Sequence, residues 1–258
     1  MMSRFAPFGA LHALTVASLA GTVAILCAIG HRLQGTPAAR RYERAIALLV
    51  AALWVSYQGY DLVTSGFDLR WSLPLQLCDF SALIAALAFA TPHRVLHALA
   101  YFWGLALTTQ AVITPDLLGG PTTLAFWAFW LYHTFVIGSG VYVVAVRRFR
   151  PQWRDLRLAI GLGAAYAAAI FAIDAAFGLN YGYFGRDTPG QPSLIDLLGP
   201  WPWRALLMVA LAAVAMTVLW LPWWCSRRRR PPTAPAESPS PAPAPPAPSP
   251  EARVPSSP

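Results

Sequence analysis

Lysine is absent: all 19 basic side chains among the 258 residues are Arg. Charge of either sign is scarce, at 12% of residues, where soluble domains carry about 25%. A chain so poor in charge does not clothe a water-facing globule. Cysteine is scarce too, and Cys27, Cys78 and Cys225 are too few and too scattered for a disulfide framework. No CxxC or Cys/His cluster has the spacing of a zinc site. The "GLG" at 161–163 lies inside an apolar run with no strand before a helix, so neither a dinucleotide fingerprint nor a phosphate loop is present. No cofactor or metal is expected.

What the chain has instead is hydrocarbon: 57% of its residues are hydrophobic. A spanning helix needs roughly 20 mainly apolar residues. Seven runs qualify, near 10–30, 45–64, 73–90, 95–113, 122–146, 158–178 and 204–224. The expected fold is therefore all-α, a polytopic bundle of seven transmembrane helices over 1–225. In the first run the positive charge follows the apolar stretch, the reverse of a signal peptide, so it reads as a span.

Arginine placement tests that count. With alternating loops, one face collects Arg32, Arg40, Arg41, Arg44, Arg94, Arg147, Arg148, Arg150, Arg154, Arg157 and Arg227 to Arg230. The other holds only Arg4, Arg70, Arg186 and Arg204. Arg-rich loops face the cytoplasm, so the N-terminus is expected outside and the C-terminus inside, in a cell membrane of bacterial cytoplasmic type. The net charge of +8 is thus spread by topology, and no nucleic-acid partner is expected. The expected partners are membrane lipids, with anionic headgroups at the Arg-rich face, most directly at "RRRR" 227–230. Beyond that basic stop, 226–258 reads as a cytoplasmic tail; 12 of the 24 prolines fall within 231–258 among Ala and Ser, a composition that builds no core.

Polar side chains inside apolar runs are costly and usually mark function. On this topology Asp61, Gln76, Cys78, Asp79, Gln110, His133 and Asp174 fall in the outer half of five segments, while His97 lies near the inner end, within reach of headgroups. The shared depth points to one polar cavity open to the outer side. Gln76 and Asp79, three residues apart, share a helix face, with Cys78 turned about 100° away. Asp79 would orient His133, hold a headgroup cation or pair with another span. Gly138 and Gly140 suit close helix packing in the fifth run. The outer loop "GLNYGYFGRDTPGQPSLIDLLGPWPW" (178–203) is rich in interfacial aromatics, with Asn180, Tyr181, Tyr183 and Phe184 at its start. Within it "SLIDLLGPWPW" reads as a short helix capped by Ser193, either a lid or an interfacial anchor.

Three motifs, "LPLQLCD" (73–79), a His in the fifth run (His133) and "NYGYF…PSLIDLLGPWPW" (180–203), together with the number and order of spans, resemble the YwaF-like family of bacterial integral membrane proteins. The animal transmembrane protein 164 belongs to the same broader family. The resemblance covers most of 10–224. It implies a phospholipid acyltransferase with a Cys nucleophile at Cys78 and a His partner at His133. Gln76 stands where the bacterial pattern commonly has His, and an amide neither accepts nor releases a proton. An acyl-transfer site also needs an oxyanion donor; Gln76 or Asn180 would supply it, and Phe80, Phe102, Trp127 and Trp130 would line the acyl chain. Two other classes stay open. One is a transporter or channel-like bundle binding a proton, ion or small solute through Asp61, Asp79, His133 and Asp174. The other is a lipid-binding scaffold that uses the outer loop.

Overall fold

The computed structural model describes residues 5–117, 119–187 and 194–228, without the side chains of Asp61, Thr64, Ser65, Arg227 and Arg228. Seven long helices make up the described chain: α1 Ala10–Leu33, α2 Pro37–Ser65, α3 Leu77–Ala90, α4 Arg94–Ile113, α5 Leu124–Ala145, α6 Trp153–Phe177 and α7 Trp203–Arg228. Single-turn 3-10 helices at Tyr181–Tyr183 and Leu194–Leu198 break the α6–α7 connection. Among the described residues there is no strand. The expected Ser193 cap and the Pro-rich tail lie outside the described residues.

Five of the helices, α1, α4, α5, α6 and α7, are long and apolar enough to cross a membrane. The exterior has the polarity that a lipid solvent demands. Leu206, Leu207, Leu211, Val214 and Val218 of α7 all point outward, more than 40% exposed. Such a surface in water would be an aggregation site.

α5 forms the hub, with α1, α3 and α4 packed around it; α2 leans on α3, and α6 pairs with α7. Two glycines let the backbones of α4 and α5 approach closely. A Cβ on Gly140 would meet the Ala100 carbonyl oxygen at 2.7 Å, and one on Gly104 would meet that of Val136 at 2.8 Å. The small-residue reading of Gly140 was legible; Gly104 was not.

Several helix ends differ from the expected runs. α2 begins at Pro37, eight residues early, because Thr36 and a proline at N1 start it ahead of the apolar stretch, so Arg40 and Arg44 are helical. α6 likewise begins at Trp153, behind Gln152, whose N–H is accepted by the Asp155 carboxylate. α3 is shorter than its run. Residues 66–76 are not helical, Pro74 sits among them, and the helix starts after Gln76. At 14 residues, α3 is about 21 Å long at 1.5 Å per residue, short of the roughly 30 Å of a hydrocarbon core.

The far end of α3 is closed by Arg147. Its guanidinium donates to the carbonyls of Ala88, Phe89 and Thr91 at 2.6–2.8 Å, to His97 Nε2 at 2.7 Å and to both oxygens of Glu43. His97 is therefore a buried acceptor from Arg147, at the wall of a cleft that Arg40, Arg44 and Arg148 also line.

Candidate functional site

α3 begins where a helix is richest in free donors. Asp79 Oδ2 accepts the Gln76 N–H at 3.1 Å, and the N–H groups of Asp79 and Phe80 go back to the Gln76 carbonyl. The first two N–H groups, of Leu77 and Cys78, have no backbone acceptor in their own helix, as at every helix start. Cys78 thus stands at the second position of the helix, where the N–H groups have no helical carbonyl to bond.

The non-helical 66–76 segment, a turn and bends, is tied down by α6 and the loop after it. Tyr181 Oη accepts from the Leu73 N–H and donates to the Leu69 carbonyl; Tyr166 Oη donates to the Leu75 carbonyl at 2.8 Å. Gly182, held at φ +60°, donates its N–H to Gln76 Oε1 at 2.8 Å. The motifs at 73–79 and 180–184, a hundred residues apart, are two halves of one joint. Within a membrane, non-helical backbone is tolerated only where protein satisfies it or where it lines a cavity; this segment is bonded by Tyr166 and Tyr181 and borders a cavity through Trp71 and Gln76.

α5 brings the imidazole. His133 Nε2 lies 3.5 Å from Cys78 Sγ, and Nδ1 lies 2.7 Å from the Phe129 carbonyl oxygen. A carbonyl only accepts, so the ring proton sits on Nδ1 and the Nε2 lone pair faces the thiol. The Phe129 ring lies 4.0 Å from the imidazole centroid at a 32° tilt and holds it in place. Tyr132, one residue earlier, donates to the Cys78 carbonyl at 2.7 Å and fastens the start of α3 to α5.

The pair opens on a cavity of about 720 Å³, within the range of small-ligand sites. Its polar rim carries Gln58, Gln76, Gln110, Thr114, Asp116 and Tyr183. Its apolar body runs between α4, α6 and α7 along small side chains, among them Gly163, Ala164, Ala167 and Ala212. A π-turn at Trp103–Leu107 interrupts α4 beside this cavity. The Thr108 and Thr109 hydroxyls satisfy the carbonyls of Trp103 and Leu105 there. π-bulges recur at functional sites. Leu194, Ile195 and Leu198 cover one side; Ile195 is buried while Leu197 points outward, 80% exposed.

The structure brings together Cys78, His133, Gln76, Asp79 and Gln110 of the expected residues. The Asp79 carboxylate serves the helix start and receives Tyr132 Oη at 3.4 Å, while the two His133 nitrogens face Cys78 and Phe129, so Asp79 does not orient the imidazole. Asp174, Asn180 and Tyr181 do not line the cavity. Asp174 is 2% exposed and accepts the Tyr181 N–H, because Gly178 ends α6 and turns the chain back over it. The Asp61 side chain lies outside the described residues. The expected acyl wall of Phe80, Phe102, Trp127 and Trp130 is also displaced: none of the four lines the cavity, Phe102 and Trp130 being packed in other cores.

Tyr132, Asp116 and Tyr183 were missed. Tyr183 Oη donates to Asp116 Oδ2 at 2.9 Å across the rim, and burial together with that carboxylate holds its phenol well above the usual range, so it stays a neutral donor. Its φ of +63°, rare outside glycine, aims it there. The "NYGYF" run was the only signal. Among the described residues no group of His, Cys, Asp and Glu is arranged to hold a metal ion.

No curated protein and no solved structure matches the chain. A family model does, that of the TMEM164 family, over residues 7–220. That stretch takes in α1 to α6, most of α7 and the whole Cys78–His133 cavity, and the chain belongs to the TMEM164 family, as a membrane protein with several apolar helices.

Proposed function

We propose that this protein transfers an acyl chain between membrane lipids through a thioester on Cys78. The observation that carries the reading is the 3.5 Å approach of Cys78 Sγ to a His133 Nε2 whose other nitrogen is spent on Phe129, at the wall of a cavity that is polar at its rim and apolar along its length. The thiolate is the nucleophile. His133 Nε2 takes the thiol proton as Sγ attacks an ester carbonyl carbon. The S–C bond forms, the C–O bond breaks, and the proton passes from Nε2 to the departing alcohol. An acceptor hydroxyl then gives its proton to Nε2, attacks the thioester and restores the thiol.

The oxyanion formed in each half falls beside the first N–H groups of α3, those of Leu77 and Cys78, which have no helical carbonyl to bond. The Gln76 amide stands next to them with its oxygen already held by Gly182, which leaves its NH₂ as donor. Gln76 therefore needs no proton chemistry to contribute. The acyl chain lies along the small residues of α6 and α7. On the expected topology the rim opens to the outer leaflet, at ester depth.

The test is chemical. Protein purified with its lipid is expected to carry a hydroxylamine-labile acyl group on Cys78, seen as a mass increment on its peptide. Cys78→Ala abolishes both the adduct and any change in acyl composition of the host lipids. An unmodified thiol with unchanged lipid profiles in wild type and variant sinks the reading. Solute or proton flux sensitive to Asp79→Asn but indifferent to Cys78→Ala replaces it with a transport function.

A further inference from the structure

At the opposite end of α3 from Cys78 lies a second cleft, of about 840 Å³. Phe89 in its wall is eleven steps along the helix from Cys78, roughly 16 Å at 1.5 Å per residue. It is lined by Arg40 and Arg44 of α2, by Arg94 at the start of α4, and by Arg147, Arg148 and Arg150 after α5.

The carboxylates at this end are already engaged. Glu43 receives Arg147 and the Tyr142 hydroxyl. Asp155 receives Arg94 through two nitrogens and also the Gln152 N–H. Arg150 lies over the Trp223 ring, 5.0 Å from its centroid. Arg40, Arg44 and Arg148 are left, all exposed, none with an ion pair or hydrogen bond among the described residues.

Their convergence is built. Arg40 and Arg44 are four apart on α2, so they share a face. Arg148 is held at φ +55°, a conformation that L residues seldom adopt. The turn that imposes it is fixed on both sides, by the Phe149 N–H to the Val143 carbonyl and by the Arg147 guanidinium anchored on α3, His97 and Glu43. Glu43 also lines the cleft but is taken up by Arg147, so the three remaining like charges there repel one another, and a bound anion removes that cost. Guanidinium forks match phosphate oxygens in geometry as well as charge. Phe89, Ala90, Pro92 and Phe149 supply an apolar floor beside them, which suits the glycerol end of a lipid.

We propose that this cleft is a binding site for a phosphate-bearing anion, held by Arg40, Arg44 and Arg148, separate from the Cys78 cavity and independent of its chemistry. The phosphate comes either from an anionic lipid headgroup or from a soluble phosphate.

The experiment titrates the full-length protein in neutral detergent with phosphatidylglycerol, phosphatidylcholine or inorganic pyrophosphate, and counts bound molecules by native mass spectrometry. One saturable phosphatidylglycerol is expected, with phosphatidylcholine far weaker. The double variant Arg44→Gln, Arg148→Gln is expected to lose about tenfold or more in affinity, the scale of losing two charge-assisted contacts. The control Arg154→Gln, Arg157→Gln, which removes equal charge outside the cleft, is expected to bind as wild type. Competition by pyrophosphate assigns the site to soluble phosphates; its failure to compete assigns it to lipid. Equal weakening by both double variants, or binding that never saturates, means nonspecific surface charge and overturns the site. Unchanged thermal midpoints of both variants exclude misfolding as the cause; should the cleft variant lose its fold, Arg40→Gln alone repeats the comparison.

Discussion

Arg147 is the kind of residue that sequence statistics spend on topology, one arginine among fourteen on a basic face. In the fold it closes α3, supplying donors to three carbonyls that a helix end leaves unsatisfied. Glu43 holds it there, with side-chain exposures of 13% and 16% for the pair. Removing one partner of a buried pair costs about 3–5 kcal/mol, so Glu43→Gln is expected to lower the unfolding midpoint in detergent markedly. A plain ion pair would recover when both partners become uncharged. The double variant Glu43→Gln, Arg147→Met is expected not to recover, because the Ala88, Phe89 and Thr91 carbonyls then lose their donor. Recovery to wild-type stability would show that Arg147 is only Glu43's counter-ion. The same contrast explains what was legible at this scale. Cys78 and His133 stand out as reactive types in apolar runs, whereas Tyr132, Asp116 and Tyr183 matter through partners 53, 67 and 67 residues away, which no local pattern encodes.

Among the elements, the helices with an uninterrupted apolar run were read to within a few residues, α1, α5 and α7 in particular. The failures share a cause: hydropathy counts residues and does not see where backbone hydrogen bonding stops. Gln76 and Asp79 look like polar intrusions one to two turns into a span, but they sit at the helix start and hold it. The polar dilution of α4 by Thr108 and Thr109 marks a π-turn whose carbonyls those hydroxyls satisfy. Both irregularities face the cavity, so the poor fit to an ideal span was itself the signal of a site. α6 and α7 supply its apolar length, and Gly163 is where that length is most open to change. A Cβ there meets nothing nearer than Met216 Cε at 3.6 Å. Gly163→Leu is expected to keep or raise stability, since Gly costs about 1 kcal/mol in a helix, while its side chain fills the acyl route. The expected readout is a shift of the Cys78-bound acyl chains toward shorter lengths at an unchanged unfolding midpoint. An unaltered chain-length profile would move the acyl route elsewhere.

For the whole molecule, the two clefts lie at opposite ends of α3, which makes their sidedness a single question. Arginine asymmetry predicts the Cys78 cavity toward the outside and the Arg40–Arg44–Arg148 cleft toward the cytoplasm. The physical reason is that positive loops resist translocation, and the α5–α6 turn with the start of α2 carries many of them. Phe67, 67% exposed in the α2–α3 loop, and Thr36, exposed before α2, report on the two ends. In a background with Cys27, Cys78 and Cys225 changed to Ala, Phe67→Cys is expected to react in intact cells with a membrane-impermeant maleimide, and Thr36→Cys only after permeabilisation. The reverse pattern would turn the cavity toward the cytoplasm, and lipids of the inner leaflet would become its substrates. Labelling of both sites in intact cells would mean that α2 does not cross, leaving α3 and the 66–76 segment as a re-entrant hairpin. The 14-residue length of α3 makes this the one alternative with a structural basis, and under it the cavity and the basic cleft would share an aqueous side.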